Sequence, residues 1–554
     1  MSQADTTTTK GRLNASQSHG LWYAVAGFAA LLILIPILSI IVKAASADSN
    51  IWPHLSRTML PLYIEQTATL MLGVGALSTL LGVGSAYIVA RYAFAGRRVL
   101  EWALILPLAV PTYLVAYVYT DLLEYAGPVQ RLIRATFGFH DSRDYAFFEI
   151  RSMGGAVTTL SLVLYPYVYL LARAAFLEQS QNILESSRVL GAGRFKTFWR
   201  VTLPLARPAI IVGVMLVLME VLNDFGAVHH FAIQTFSEGI YDYWLGRSNI
   251  EGASQIALMM LSLIVVLMAA EQFSRRQQAL FQKSNPRQAP RRPLSKRWTW
   301  TVVSICALPV IFGFVVPIGR LLFFAIYFEI EQAKGVWQMA WNSLALSATA
   351  AILTGLLAVF VAYARRRVNT PLVHGLGIAS GLGYAIPGAV LAIGVLVPFG
   401  LLDRTINDIA EAWTGERVGL IFSGTIAIMV VAYMVRFMSI AQGSIYAGLQ
   451  KITPSMDQSA QTLGCNNVQI IRRVHLPLLH KSILTAMLIV FVDSMKELPA
   501  TLILRPFNFD TLATNVYQYA SDELLEEASL AALMIIVVGL LPIIWLNRSI
   551  SRET

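Results

Sequence analysis

The chain has 554 residues, of which 56% are hydrophobic and 13% charged. Soluble domains carry about 25% charged residues, so the composition argues against a water-soluble enzyme, a disordered tail protein or a nucleic-acid binder. The net charge of +10 reads as the basic inner loops of a membrane protein, and two distant cysteines, Cys306 and Cys465, imply no disulfide framework.

A bilayer-spanning helix needs about 20 mostly apolar residues. Twelve stretches qualify, near 21–42, 63–90, 99–123, 154–176, 208–228, 254–273, 299–326, 341–364, 375–401, 418–440, 482–500 and 528–546. Lys10 and Arg12 precede the first, which is too long for a signal-peptide core and reads as a retained span. Pro107, Pro111 and Pro387 fall inside spans and are compatible with helix there, since neighbouring helices satisfy freed backbone groups. Alternate loops and the two termini hold 29 of the 42 Lys and Arg residues. That bias predicts that both termini and the basic loops face the cytoplasm.

The chain repeats itself. Residues 185–204, ESSRVLGAGRFKTFWRVTLP, align with 458–477, QSAQTLGCNNVQIIRRVHLP, at a shift of 273. Pro111 meets Pro387 at a shift of 276, and Tyr241 and Tyr243 meet Tyr517 and Tyr519. The expected fold is therefore an all-α polytopic membrane protein of about 12 transmembrane helices in two homologous six-helix halves. The boundaries are 1–273 for the first transmembrane domain, 274–298 for a basic, proline-bearing cytoplasmic linker and 299–554 for the second. An even number of spans per half gives both halves one orientation, as parallel repeats have.

Each copy of the motif lies on a loop, 173–207 and 442–481. Thr453 and Pro454 suit the cap and first turn of a helix. Gly191 and Gly464 suit left-handed helix ends. A second short helix follows in each copy, stopped by Pro204 or Pro477 before the next span begins. Leu184, Val189, Phe195 and Phe198 offer a partner an apolar grip.

The spacing resembles the Glu-Ala-Ala loop of permease subunits of bacterial ABC importers. Glu185, Ser186, Ser187, Gly191, Val201, Leu203 and Pro204 match it in one copy, and Gln458, Ser459, Ala460, Gly464, Val474, Leu476 and Pro477 in the other. Serine replaces alanine at two motif positions, as Ser186 and Ser187 in one copy and Ser459 in the other, and Gln458 stands where the acid belongs. Most of the chain is also similar to the fused permease of ferric-iron importers, above all DLLEYAGPVQ (121–130), EIRSMGG (149–155), LYPYVYLLARAAFLEQS (164–180), LNDFGAV (222–228) and the stretch VDSMKELPATLILRPFNFDTLATNVYQYASDE (492–523). The resemblance implies the type I ABC importer permease fold in a bacterial inner membrane. It also implies two copies of a cytoplasmic ATPase docked on the loops, and a periplasmic iron-binding protein that delivers iron(III). Fused permeases for thiamine or another small solute share the architecture.

Acids inside spans are functional candidates by default. Glu220 and Asp224 align with Asp493 and Glu497 at the 273 shift, and each pair is four apart, which on a helix gives one face. These four are the expected translocation-path residues, with no tightly held metal. Carboxylates and tyrosines such as Tyr117 and Tyr167 suit a hard trivalent cation. Lys496 offers a counter-charge, and Asn223-Asp224 offers a cap. His229-His230 and the loop 124–153 are lesser candidates for metal contact and partner docking. The chain contains no Gly-Lys dipeptide and hence no P-loop. It lacks His-Glu-x-x-His and Gly-x-Ser-x-Gly as well. No catalytic residue, bound cofactor or nucleic acid is expected, and ATP with its magnesium belongs to the partner. A gradient-driven secondary transporter would share the two-half plan but leave the paired loops without a purpose.

Overall fold

Hydrocarbon supplies no hydrogen-bond partner for the backbone, so long apolar stretches fold as helices that satisfy themselves. The computed structural model describes residues 5–46, 51–179, 181–278, 291–328, 333–368, 370–450, 452–465 and 467–553. Among them, eleven helices are long and apolar enough to cross a membrane. One further apolar pair, Arg97–Ala109 and Thr112–Phe137, is bent by 92° at its break and makes a twelfth when counted as one span. The expected all-α polytopic architecture is present, and the described strands are two-residue pieces, Tyr92–Ala93 paired in parallel with Arg292–Pro293. That pair anchors one end of the predicted linker, of which residues 279–290 lie outside the described part.

The prolines correct the expectation of continuous spans. Pro111 and Pro387 are the residues just before helices Thr112–Leu123 and Gly388–Thr414, each in an extended conformation. Short 3-10 turns, Leu106–Ala109 and Leu382–Ala385, precede them. Pro107 lies within the first of these turns. Proline disfavours helical geometry in the residue before it and lacks the N–H that a continuing helix needs. The third span of each half is therefore interrupted at the same repeat position.

Packing divides the chain into two compact units that do not coincide with the sequence halves. One comprises Met1–Ala47 with Met339–Thr511, the other Asp48–Gln338 with Leu512–Thr554. Relative to the halves 1–273 and 299–554, the first spans are thus exchanged, and the last span of the second half also packs with the first half. In the first unit, Ser39 on helix Asp5–Ala45 donates to the Gly394 carbonyl at 2.7 Å, and Trp22 stacks on Tyr363. In the second unit, helix Val316–Tyr327 is tied to helix Thr112–Leu123 by Arg320 and Asp121 at 2.7 Å, and Tyr119 donates to the Phe312 carbonyl at 2.6 Å.

Close backbone approach holds the second unit's core. Val168, buried on helix Met153–Glu178, faces Gly82 on helix Leu60–Arg91 and Gly213 on helix Leu203–Asn223. A Cβ at Gly82 would lie 2.8 Å from the Val168 Cβ, and one at Gly213 2.9 Å from the Val168 Cα. Apolar burial gives little drive between helices in lipid, so dispersion across such small-residue contacts supplies much of the attraction. Gly82→Leu or Gly213→Leu is expected to overpack this contact and cost about 1–3 kcal/mol, read as a lowered thermal unfolding midpoint in detergent.

Candidate functional site

The two repeated loops share one construction. Helix Gln181–Val189 ends before Gly191 at φ +78°, and helix Pro454–Thr462 ends before Gly464 at φ +81°. The Ala192 N–H bonds the Ser187 carbonyl and the Cys465 N–H bonds the Ala460 carbonyl, each at 3.0 Å. This is the Schellman closure that a left-handed glycine permits. Thr453 occupies the predicted cap position, but its hydroxyl meets Ser455 at 2.8 Å and makes no cap bond.

The small residue at the third place of the motif now has a reason. Ser187 and Ala460 are buried against the turn that follows, and the Ser187 hydroxyl meets the Thr197 hydroxyl at 3.2 Å. Glu185 and Gln458 are exposed, and Glu185 accepts from Gln181 at 2.5 Å. Among the described residues no buried partner demands an acid at either place. The apolar tips face outward: Val189 is 87% exposed, Leu190 84%, Phe195 78% and Leu463 84%. Phe198 instead packs on Tyr87, with ring centroids 4.6 Å apart, and the side chain of Leu184 lies outside the described part.

Pro204 and Pro477 do not stop the second loop helix, contrary to the sequence expectation. Helix runs from Arg194 through a π turn, Phe198–Thr202, into Leu203–Asn223. Its counterpart runs from Asn467 through Ile471–His475 into Leu476–Met495. The wide π turn accommodates the missing proline N–H without breaking the rod. Val201, Leu203, Val474 and Leu476 thus lie on the junction itself, and each loop is continuous with the fifth span of its half.

Arginines at the loop end of a neighbouring span brace both loops, a feature that motif reading missed. Arg91 donates to the Gln179 side chain at 2.6 Å, and Gln179 donates to the Thr202 carbonyl at 2.8 Å. Arg366 donates to the Ile452 carbonyl at 3.0 Å and pairs with Asp457 at 2.7 Å. Asp457 also meets the buried His475 at 2.5 Å. At the upstream shift of 276 Arg91 aligns with Arg367, so the second brace, Arg366, comes from the residue beside the repeat equivalent. Burial pushes the Asp457 carboxyl up, but hydrogen bonds from Arg366 and His475 outweigh it and hold the carboxyl below its usual value.

At the far end of each fifth span the paired acids separate, which corrects the reading that each pair shares one helix face. The helices end at Asn223 and Met495, leaving Asp224 and Glu497 beyond them. Asp224 accepts from the N–H groups of Ala227 at 2.9 Å and Val228 at 3.3 Å. It also accepts from the hydroxyl of Thr112. Glu497 accepts from the N–H groups of Ala500 and Thr501, each at 3.1 Å, and from the Thr501 hydroxyl at 2.8 Å. A Cβ at Gly388 would lie 2.5 Å from its Oε1. Thr112 and Gly388 are repeat equivalents, the first residues after the broken third spans. In each repeat, one buried carboxylate therefore joins two helix breaks. Arg436, also buried, stands 3.6 Å from Glu497. Glu220 and Asp493 stay on their helices, half-buried, and Asp493 pairs with Lys496 at 3.2 Å.

Among the lesser candidates, His229 is exposed with Nδ1 3.8 Å from Glu238. His230 packs edge-on to Tyr117 and lies 2.9 Å from the Thr120 hydroxyl. Tyr167 is half-buried on helix Met153–Glu178. In the 124–153 loop, Arg151 pairs with Glu124 and with Glu523. Among the described residues no group of three or more His, Cys, Asp or Glu is placed to hold a metal ion.

Two outcomes follow. Glu497→Gln leaves the Arg436 charge buried without its counter-ion and is expected to cost about 3–5 kcal/mol; Asp224→Asn, losing mainly a cap, is expected to cost about 0.5–2 kcal/mol. Detergent unfolding midpoints order the two. Because the Asp457 carboxyl is lowered in the fold, its contribution is present above the ordinary aspartate value of about 4. It is lost as pH falls through the folded value. Amide exchange protection across 454–475 is expected to hold from neutral pH to about 5 and to fall below about 4.

Comparison with known proteins places this geometry. The family model for the binding-protein-dependent transport system inner membrane component matches residues 78–278 and again 355–554. The Fe(3+)-transport system permease protein FbpB 2 of Haemophilus influenzae is 24% identical over 534 residues, covering 94% of this chain and 96% of that protein. The ferric transport system permease protein FbpB of Actinobacillus pleuropneumoniae is 23% identical over 453 residues, 78% of this chain and 63% of that protein. The molybdenum transport system permease protein ModB of Escherichia coli is 29% identical over 215 residues, 36% of this chain and 90% of that protein. Two family matches, the paired loops and the helical membrane body give a type I ABC permease fold in a multi-pass protein of a bacterial inner-membrane transport system. The chain belongs to the binding-protein-dependent transport system inner membrane component family.

Proposed function

We propose that this chain is the permease of an ABC importer that carries iron(III). A periplasmic solute-binding protein delivers the ion on one side, and two copies of a cytoplasmic ATPase hold the two loops on the other. The carrying observation is the pair of exposed apolar loop tips, each continuous with a membrane-spanning rod. Full-length likeness to ferric permeases supports the cargo. The basic bias of alternate loops supports cytoplasmic termini. The chain needs no cofactor of its own, and ATP with magnesium is consumed by the partner.

The geometry makes each fifth span a lever. A partner gripping Val189, Leu190 and Phe195, or Leu463 in the other copy, gains about 1.5–3 kcal/mol for each large side chain it buries. The bracing by Ser187–Thr197 and by Arg366, Asp457 and His475 turns displacement of the tip into displacement of the rod. At the rod's other end lie Asp224 or Glu497 and the broken spans. Movement at the tip thus reaches two helix breaks at once, a linkage that rocking one repeat against the other in alternating access can use. Glu220 and Asp493, on the rods themselves, are the proposed path-lining carboxylates. Asp224 and Glu497 serve by holding the breaks.

Leu190→Asp and Leu463→Asp place a charge on exposed tips. They are expected to leave thermal stability unchanged, to cut ATPase co-purification about tenfold or more, and to abolish uptake. Proteoliposomes holding the chain, its ATPase and its binding protein are expected to accumulate iron(III) when ATP is supplied on the loop side. Uptake of thiamine or molybdate in place of iron would overturn the cargo, and uptake without the ATPase would overturn the coupling.

A further inference from the structure

Beyond the loops and breaks, one side-chain cluster at the far end of the second unit is used by nothing described so far. His229 and Glu238 approach at 3.8 Å. The His229 ring centroid lies 6.2 Å from that of Tyr241 and 6.1 Å from that of Tyr517. Tyr241 and Tyr517 share a side-chain hydrogen bond, so two equivalent positions of the repeat touch one another. Among the described residues, Glu238 pairs with His229 and with no lysine or arginine.

The frame around these four is built. Phe225, 1% exposed, packs on all three rings at centroid distances of 4.3 Å from Tyr241, 5.3 Å from His229 and 5.8 Å from Tyr517. Phe225 is held by the Asp224 cap that precedes it. Ser237 donates to the Asp224 carbonyl at 2.6 Å, which ties helix Phe236–Tyr241, and with it Glu238, to the same break. The His229 and Glu238 side chains are 41% and 21% exposed, so a solvated ion reaches them directly.

We infer that His229, Glu238, Tyr241 and Tyr517 form a transient receiving site for a hard trivalent cation; the inference rests on the iron(III) cargo proposed above. Two phenols, one carboxylate and one imidazole make an oxygen-rich donor set, which hard cations prefer over sulfur donors. Binding replaces a phenol proton with the metal and releases that proton to water. The repeat supplies the tyrosines twice but the other two ligands once. Leu502 stands at the equivalent of His229 and Thr514 at that of Glu238. One site therefore serves both halves. With only one carboxylate and one imidazole the site depends on its phenols, which suits passage more than storage.

The test uses the full chain in lipid nanodiscs titrated with iron(III) nitrilotriacetate, together with radio-iron uptake by cells carrying the complete importer. Wild type is expected to develop a visible phenolate-to-iron charge-transfer band. Tyr241→Phe/Tyr517→Phe keeps both rings and is expected to lose the band and about tenfold or more of the uptake, with ATPase co-purification unchanged. His229→Gln/Glu238→Gln, at partly exposed positions, is expected to weaken iron binding by a similar factor. An absent wild-type band, or wild-type uptake in the phenylalanine pair, overturns the site while leaving the cargo intact. Failure of wild-type cells to accumulate iron overturns the cargo and the site together.

Discussion

A helix that breaks inside a membrane protein frees backbone N–H groups where water is scarce, and they must find acceptors in the protein. Here each repeat spends one buried carboxylate on that need. Asp224 and Glu497 take the first N–H groups of the helices that follow them, and each also touches the first residue after the broken third span. Break, cap and neighbouring break thus form one junction, repeated with shifts of 273 for the carboxylates and 276 for the third-span breaks. A carboxylate in such a place is costly unless fully hydrogen-bonded, which ties its position to the intact junction.

The opposite end of the same spans presents exposed apolar side chains. The glycine closures expose Val189, Leu190 and Leu463, while the residues behind them are pinned by hydrogen bonds. A grip at the tips would be of little use on a hinged loop. The π turns at 198–202 and 471–475 matter for that reason, because they carry the helix past Pro204 and Pro477 without a joint. The aromatic and acidic cluster around His229 sits just past the Asp224 junction, at the opposite end of the rod from the exposed loop tips.

Most of this plan was legible in the sequence. The spans follow from apolar length, and the two halves follow from the constant offset of Leu190-Gly191 on Leu463-Gly464. The left-handed glycines follow from their place after a helical stretch. Such features are local: they depend on residues within one turn or one span. Pro111 and Pro387 were harder, because a proline within an apolar run is compatible with a kinked helix or with a break. Only the packing of neighbours decides which.

The sequence by itself determined that this is a duplicated, all-helical membrane protein with paired loops, since hydropathy, charge bias and self-similarity need no third dimension. Tertiary structure decided what the acids do. On a helix, residues four apart share a face, but Asn223 and Met495 end their helices one turn early, and Asp224 and Glu497 turn to the N–H groups ahead of them. It also decided which spans pack together, placing the first span with residues 339–511. Close approach at glycines such as Gly394, and buried pairs such as Arg436 with Glu497, are fixed by shape and desolvation between distant segments, which no local pattern records.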